Sequence, residues 1–450
     1  MTDSMPPFAS DNDPDVRRTF EWMRSLIDPN EWQARVNAIE TELERAITPG
    51  SGELLKNSIS IDADRVGWYL YLAHTALFDI TKFEPAQGAH VIPVFKALGS
   101  DLVLLRDVGG VEGRVARMLH EDRRQPDSII LELLVALLWR KNGFTADFIE
   151  ESPTEKRPDI VATRDSETWY IECKRLQQSS DYTEEERAKW LSMWRHLREF
   201  LFARSYPCVL DFTFHIPLDD LPEDFLVAQL ADRLPNSLPA TIFDNETWTV
   251  RVDAVDDEAI QQHLERYKVK YPGSQFNELI GGYIDSNRGF TCAFEGVLER
   301  IGEGIGNNRF VSELGFAIGA FWSCDANSVL ERKARDIRSH VAKAVQQLPA
   351  EGNTAIHVAL ETMDGPAVES LRHARIQSSM RNFQFGERPV PWLYCHALQS
   401  YSPPNGYWVI DESDWYFGPS ANSPLNNRSI IVPPEYQSAD QGVHWLTEPP

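Results

Sequence analysis

The stretch from Ser128 to Ile216 constrains the fold most, because its hydrophobic pattern changes repeatedly between helical and alternating spacing. The pattern predicts a buried helix, then three strands, then a helix with a charged start and a further strand. In chain order these segments are Ser128–Asn142, Phe144–Ile149, Ile160–Thr163, Trp169–Cys173, Glu184–Ala203 and Cys208–Ile216. Strands and helices in this order pack as a mixed sheet covered by helices, so we expect an α/β fold.

The N-terminal third of the chain has a different pattern. Residues 1–15 are polar and acidic and are predicted to form a disordered tail. Helical spacing predicts a helical region over 16–108, with helices at Glu31–Ile47 and Asp64–Ile80. The pair Gly109–Gly110 indicates a break, after which the predicted core occupies 109–216.

The region 217–450 carries both helical and strand patterns and is predicted to be α+β. Its clearest elements are a strand at Trp248–Val255, a charged amphipathic helix at Ser328–Leu348 and a strand at Thr354–Leu360. The last of these strands is placed to add an edge to the central sheet.

Charge is distributed unevenly along the chain. The net charge is −24, from 44 Lys and Arg against 68 Asp and Glu. Taken alone, this charge argues against a broad nucleic-acid-binding surface, because phosphate binding depends on Lys and Arg. Between residues 111 and 210, however, 16 basic residues nearly balance 18 acidic ones. The acidity therefore lies mainly outside the predicted core.

Several classes of protein do not fit the sequence. No run of about 20 apolar residues exists, so no membrane span is expected, and the polar start is unlike a signal peptide. The five cysteines lack zinc-ligand spacing and are expected to be reduced thiols in the cytoplasm. No GxxxxGK(S/T) motif is present, so we expect no nucleotide motor in this chain.

A short turn signal, Asp165–Ser166, separates the second and third predicted strands. If these two residues form the loop of an antiparallel hairpin, Asp159 lies directly opposite Glu172, with Cβ atoms about 5 Å apart. Alternation then places Lys174 on the face that carries both carboxylates, opposite an apolar face. The pattern therefore predicts two carboxylates and one lysine on a single patch.

This patch has the groups that phosphodiester hydrolysis needs. Two opposed carboxylates repel each other, and a Mg²⁺ ion with oxygen ligands at about 2.1 Å would turn that repulsion into a binding site. Such an ion polarises a phosphate and lowers the pKa of its water. Lys174 is then placed to orient the water and to stabilise developing charge.

Glu132 is the one polar residue in the run Ile129–Trp139. A carboxylate in an apolar helix is unfavourable unless it is paired or bound to a metal. One interpretation is that Glu132 joins the metal site. The other is an ion pair with an arginine such as Arg157 or Arg175.

The order of these residues resembles the PD-(D/E)XK nuclease superfamily, which has the restriction-endonuclease-like fold. The matching features are Glu132, a strand opened by Gly143–Phe144, then Pro158–Asp159 and Glu172–Cys173–Lys174. The resemblance covers residues 125–216, about a fifth of the chain. It implies Mg²⁺, for which Mn²⁺ can substitute, held by Asp159 and Glu172 with help from Glu132, and a nucleophilic water served by Lys174.

The predicted function is a Mg²⁺-dependent endonuclease whose expected substrate is DNA. A restriction or defence role is implied by the resemblance alone, and junction resolution and RNA cleavage remain open. Arg175 and Gln178 follow the motif and are candidates for phosphate contacts, although solvent-facing roles fit equally well. A homodimer, or a partner subunit that supplies DNA affinity, also remains open.

Other interpretations of the same residues involve no catalysis. The chain could be a binding module of the same fold without chemistry; its acidic charge favours this and its intact tetrad argues against it. The predicted hairpin could be a surface hairpin with a cross-strand ion pair. Arg195 and Arg198 fit a solvated helix face, and C-terminal aromatic residues such as Trp392 and Trp415 fit packing better than base stacking.

Overall fold

The computed structural model describes residues 13–47, 61–150, 152, 155–176, 180–285, 287–386, 388, 390–402, 409–419, 423–433 and 443–446. Within these residues, helices surround two mixed six-stranded sheets. The predicted α/β class is confirmed. Most of the predicted N-terminal tail and Gln178 lie outside the described residues.

The N-terminal part is helical, and apolar side chains join its helices into one core with the first sheet. The helices are α1 (Pro14–Ser25), α2 (Pro29–Ile47), α3 (Arg65–Phe78), α4 (Pro85–Ser100), α5 (Leu102–Arg106) and α6 (Val111–His120). The predicted helices at Glu31–Ile47 and Asp64–Ile80 correspond to α2 and α3. None of the described helices is long and apolar enough to cross a lipid bilayer.

The first sheet begins after the buried helix that the sequence predicts. This helix is α7 (Pro126–Lys141), and it is followed by β1 (Thr145–Phe148), β2 (Ile160–Arg164) and β3 (Glu167–Arg175). The three strands are antiparallel neighbours. The predicted register between β2 and β3 is confirmed, because Arg164 pairs with Glu167 and Ile160 with Ile171.

The next elements build the second sheet. They are α8 (Asp181–Ala203), β4 (Cys208–Phe214), α9 (Phe225–Leu230), β5 (Ala240–Asp244), β6 (Trp248–Asp253), α10 (Asp257–Leu264), β7 (Val269–Lys270), α11 (Ser274–Gly281), β8 (Gly289–Arg300) and β9 (Arg309–Cys324). The strand order is β5-β6-β4-β9-β7, with β8 paired to β9.

The prediction that Cys208–Ile216 supplies the fourth strand of the first sheet is therefore wrong. β4 lies between β6 and β9 instead. The reason is its side chains: Phe212 and Phe214 join Trp190 and Trp194 of α8 in a separate aromatic core. Burying these large rings together favours a second sheet over an extension of the first.

The chain then returns to the first sheet. The returning elements are α12 (Asn327–Lys333), α13 (Arg338–Val345), β10 (Asn353–Glu361), α14 (Pro366–Arg381), β11 (Trp392–Tyr401) and β12 (Val409–Phe417). The first sheet has the order β1-β2-β3-β10-β11-β12. The single helix predicted over Ser328–Leu348 is thus two helices, α12 and α13. The strand predicted at Thr354–Leu360 is β10, and it lies inside the first sheet rather than at its edge.

β10 occupies the interior because it is apolar along almost its whole length. Residues 354–361 are all buried, as a parallel strand covered on both faces requires. β10 runs parallel to β3 and places Ile356 beside Glu172 and Val358 beside Lys174. α7 packs against one face of this sheet, whereas α13 and α14 cover the other, which is the face of Glu172 and Lys174.

Candidate functional site

Asp159 lies where the ladder between β2 and β3 ends. Its N–H donates to the carbonyl of Ile171 at 3.0 Å, and its own carbonyl accepts the N–H of Ile149 at 2.9 Å. Its Oδ2 accepts the N–H of Cys173 at 2.8 Å. The carboxylate of Asp159 therefore takes the place of a backbone partner and is held at the open end of the hairpin.

Glu172 and Lys174 project from β3 toward α13. The Nζ of Lys174 donates to Oε1 of Glu172 and, at 2.8 Å, to Oε1 of Gln347 just after α13. The Glu172 side chain is fully buried, whereas that of Lys174 is 21% exposed. The ammonium group thus lies between a buried carboxylate and the surface.

Glu132 lies on α7, on the other face of the sheet, and acts on Glu172 electrostatically. Its Oε2 lies 3.1 Å from Nε of Arg114, and both side chains are almost fully buried. Arg114 belongs to α6, whose start at Gly110 requires a φ of 76° and therefore favours glycine. The guanidinium also lies over the ring of Phe148, 5.3 Å from its centre, which fixes its orientation.

The three carboxylates influence one another electrostatically. Burial raises the pKa of Glu172, Asp159 and Glu132 raise it further, and Lys174 only partly opposes them, so that the pKa reaches about 9. The buried Oε2 of Glu172 accepts no hydrogen bond from any described residue. With only protein groups around it, Glu172 is therefore protonated at neutral pH.

This donor set suits a divalent cation. Carboxylate oxygens are the ligands that Mg²⁺ prefers, and a doubly charged ion would offset the repulsion that raises the pKa of Glu172. As they lie, however, the carboxylates contact protein groups, and no three potential ligands converge within the described part of the chain. An ion would have to compete with Arg114 and Lys174 for these oxygens.

Arg175 does not join the site. Alternation along β3 turns it to the opposite face, where it forms an ion pair with Glu361 of β10. There it lines a cleft together with Tyr69 and His90. The position of Arg175 therefore does not support the predicted phosphate contact.

Arg157 does not reach Glu132 either, because its guanidinium pairs with Glu155 in an exposed loop. An arginine does pair with Glu132, as the second of the two interpretations requires, but it is Arg114. A signal for it was present: Arg114 occupies a core-facing position of α6, between the buried residues Val111 and Val115. A buried cation requires an anionic partner.

No local pattern indicates the approach of Gln347, because it follows a helix far along the chain from Lys174. Its contact with Lys174 depends on the pairing of β10 with β3, which short-range spacing does not reveal.

No family model, no curated protein and no solved structure matches this chain. The motif and the contacts of its side chains are therefore the basis for assigning a function.

Proposed function

We propose that the protein is a divalent-metal-dependent endonuclease of the restriction-endonuclease-like kind, with DNA as its expected substrate. The observation that carries the proposal is the placement of Asp159, Glu172 and Lys174 at the open end of the β2–β3 hairpin, with Glu132 close enough to act electrostatically on Glu172. A buried carboxyl whose pKa is raised by two neighbouring carboxylates, beside one lysine, is unfavourable as a purely structural feature and is typical of a functional site.

Each residue has a distinct role in this proposal. Asp159 and Glu172 would hold Mg²⁺, or Mn²⁺ in its place, and Glu132 would assist them. The ion would supply a water of lowered pKa and positive charge beside a phosphate oxygen. The partly exposed ammonium of Lys174 positions the attacking water and stabilises the negative charge that develops on the phosphate.

A second candidate is a nucleic-acid-binding module of the same fold that does not cleave by itself, or that cleaves only with a partner subunit. The pairing of Glu132 with Arg114 and of Glu172 with Lys174 favours this candidate. These contacts engage the carboxylates without a metal.

The deciding experiment incubates the full chain with supercoiled plasmid, single-stranded DNA and RNA, in Mg²⁺ or in EDTA. We expect plasmid cleavage in Mg²⁺ and none in EDTA. Lys174→Ala should reduce cleavage by about 100-fold or more, the usual effect of removing one group that stabilises transition-state charge. Lys189→Ala on α8 is the matched control and should cleave like the parent.

Thermal unfolding of each variant shows whether the fold is retained. Equal cleavage by Lys174→Ala and the parent would contradict the mechanism. Binding of DNA without cleavage in either Mg²⁺ or Mn²⁺ would favour the non-cleaving module. Cleavage of RNA alone would overturn the expected substrate.

A further inference from the structure

The exposed side of α13 carries basic side chains close to the proposed nuclease site. Arg338 and Lys343 are both exposed, and among the described residues neither forms an ion pair with a carboxylate. The exposed Lys156 lies in the loop that precedes Asp159. We call Arg338, Lys343 and Lys156 the basic strip.

Two neighbouring glutamines connect the basic strip with the site. Lys156 donates from Nζ to Oε1 of Gln346 at 2.6 Å, and Lys174 donates to Oε1 of Gln347 at 2.8 Å. The end of α13, the loop before Asp159 and strand β3 are therefore joined by direct contacts. Lys156 therefore lies close to the site, and Arg338 and Lys343 lie on the helix that leads to Gln346 and Gln347.

His340 of α13 lies within electrostatic range of Lys343 in the basic strip and of Lys174 in the site. Burial lowers the pKa of His340, and Lys343, Arg335 and Lys174 lower it further, while Asp336 opposes them. At the other end of α13, Arg388 donates to the carbonyls of Val345 and Leu348. This contact offsets the negative end of the helix dipole.

Two acidic residues adjoin the basic strip in sequence. Asp336 accepts the backbone N–H of Arg338, and Glu155 pairs with Arg157. The chain as a whole carries −24, so a run of exposed cations without carboxylate partners departs from the general charge of the protein. Charge complementarity therefore favours a polyanion as the occupant.

The geometry points to the basic strip as the surface that binds the phosphate backbone of DNA, on the strand that is cut beside Lys174. This inference rests on the proposed nuclease function. From Arg338 to Lys343 the helix advances about 7.5 Å. Along the DNA axis this length corresponds to about two nucleotide steps of one strand. The basic strip is thus a better candidate for phosphate binding than Arg195 and Arg198, which belong to α8 on the second sheet.

The test measures binding of a fluorescent DNA duplex of about 25 base pairs to the full chain in EDTA, across a series of salt concentrations. Three proteins are compared: the parent, Arg338→Gln/Lys343→Gln, and the control Arg195→Gln/Arg266→Gln, which removes two exposed cations elsewhere. We expect the strip variant to bind several-fold more weakly. Its slope of log affinity against log salt should fall by about two, one for each cation that no longer neutralises a phosphate.

The control should bind like the parent, and both double variants should unfold at the parent's temperature because the side chains are exposed. Equal affinity and slope for the strip variant and the parent would overturn the inference, as would binding of RNA duplex but not of DNA. Cleavage by the strip variant at the parent's rate and KM would likewise count against it. If DNA binding depends on the strip but the parent never cleaves in Mg²⁺ or Mn²⁺, the nuclease function fails and the strip stands.

Discussion

Glu172 shows how a single residue combines stability and proposed function. Its side chain is fully buried on β3, its Oε1 accepts from Lys174, and its pKa is raised to about 9 by burial and by the carboxylates of Asp159 and Glu132. A group of this kind is neutral at pH 7 until a cation arrives. The same residue is therefore tolerated in the metal-free protein and available as a ligand.

Glu172→Gln should leave the metal-free protein folded, with an unfolding temperature equal to or slightly above that of the parent, because a neutral amide replaces a neutral carboxyl. In the parent, Mg²⁺ or Mn²⁺ at about 100 times its Kd should stabilise the fold by about 2.7 kcal/mol, and the variant should lose this effect. Thermal unfolding in EDTA and in each metal measures both. Glu167→Gln, on the exposed end of β3, is the control, and an equal metal response in Glu172→Gln would remove Glu172 from the ligand set.

Arg114→Met should destabilise the protein by about 3 kcal/mol, because removing one member of a buried ion pair leaves the other charge poorly compensated. The double variant Arg114→Met/Glu132→Gln should recover much of this stability, since the carboxylate is then also gone. Urea unfolding of the two single variants and the double variant measures the coupling. Additive effects would show that Arg114 and Glu132 stabilise the fold independently.

At the scale of elements, the hairpin and its register could be predicted, whereas the position of β10 directly beside β3 could not. The β2–β3 register depends on a two-residue turn and on alternation over a few residues, both visible in the sequence. β10 pairs with β3 although the chain between them forms the whole of the second sheet. No local spacing distinguishes β10 from β4 as the next neighbour, because both are short apolar strands, and only the packing of aromatic residues against α8 separates them.

The candidate site likewise contains residues whose grouping the sequence predicts and residues whose position it does not predict. Asp159, Glu172 and Lys174 could be placed together because they share one hairpin, and Glu132 was visible as a lone carboxylate in an apolar helix. The contacts of Gln347 and the basic strip could not be placed, because α13 reaches the site only through the parallel pairing of β10 with β3. Arg175 is a candidate for phosphate contact only because it follows the motif in sequence, whereas alternation along β3 turns it away from the site.

The turn that sets the hairpin register is itself testable. Asp165 has a φ of 53°, a conformation that glycine and aspartate adopt far more readily than β-branched residues. Asp165→Gly should therefore be neutral or slightly stabilising, whereas Asp165→Val should destabilise by about 1 to 2 kcal/mol. Unfolding temperatures of the two variants, with Ser166→Ala as the control, decide the matter. Equal stability of the Gly and Val variants would show that the turn conformation does not limit the hairpin.

At the scale of the whole molecule, ion pairs join the N-terminal helices to both sheets. Glu44 of α2 bonds to Arg300 of β8, at 2.9 Å, and to Arg309 of β9. On the first sheet, Nδ1 of His90 in α4 lies 3.4 Å from Glu361 of β10. The helical layer is therefore tied to the sheet that carries the candidate site and to the sheet that does not.

Glu361 connects β10 with β3 through Arg175 and with α4 through His90. The pKa of Glu361 therefore predicts how the stability of the fold changes in acid. Burial alone would raise the pKa of Glu361, but Arg175 and His90 outweigh burial and lower it to about 2. A carboxyl whose pKa is lower in the folded than in the unfolded chain, where it is about 4.3, stabilises the fold above that value. This stabilisation disappears as the pH falls toward 2.

Glu361→Gln should therefore be less stable than the parent by about 3 kcal/mol between pH 5 and 7, and the difference should shrink steadily as the pH falls from about 4.5 toward 2. Urea unfolding at successive pH values measures it, because protonating Glu361 in the parent produces the same neutral group that glutamine provides. Glu167→Gln, an exposed substitution on the same sheet, should show no such trend. The difference in unfolding free energy between Glu361→Gln and the parent could instead stay constant down to about pH 2.5. That result would mean that the ionised Glu361 does not hold the helices to the sheet.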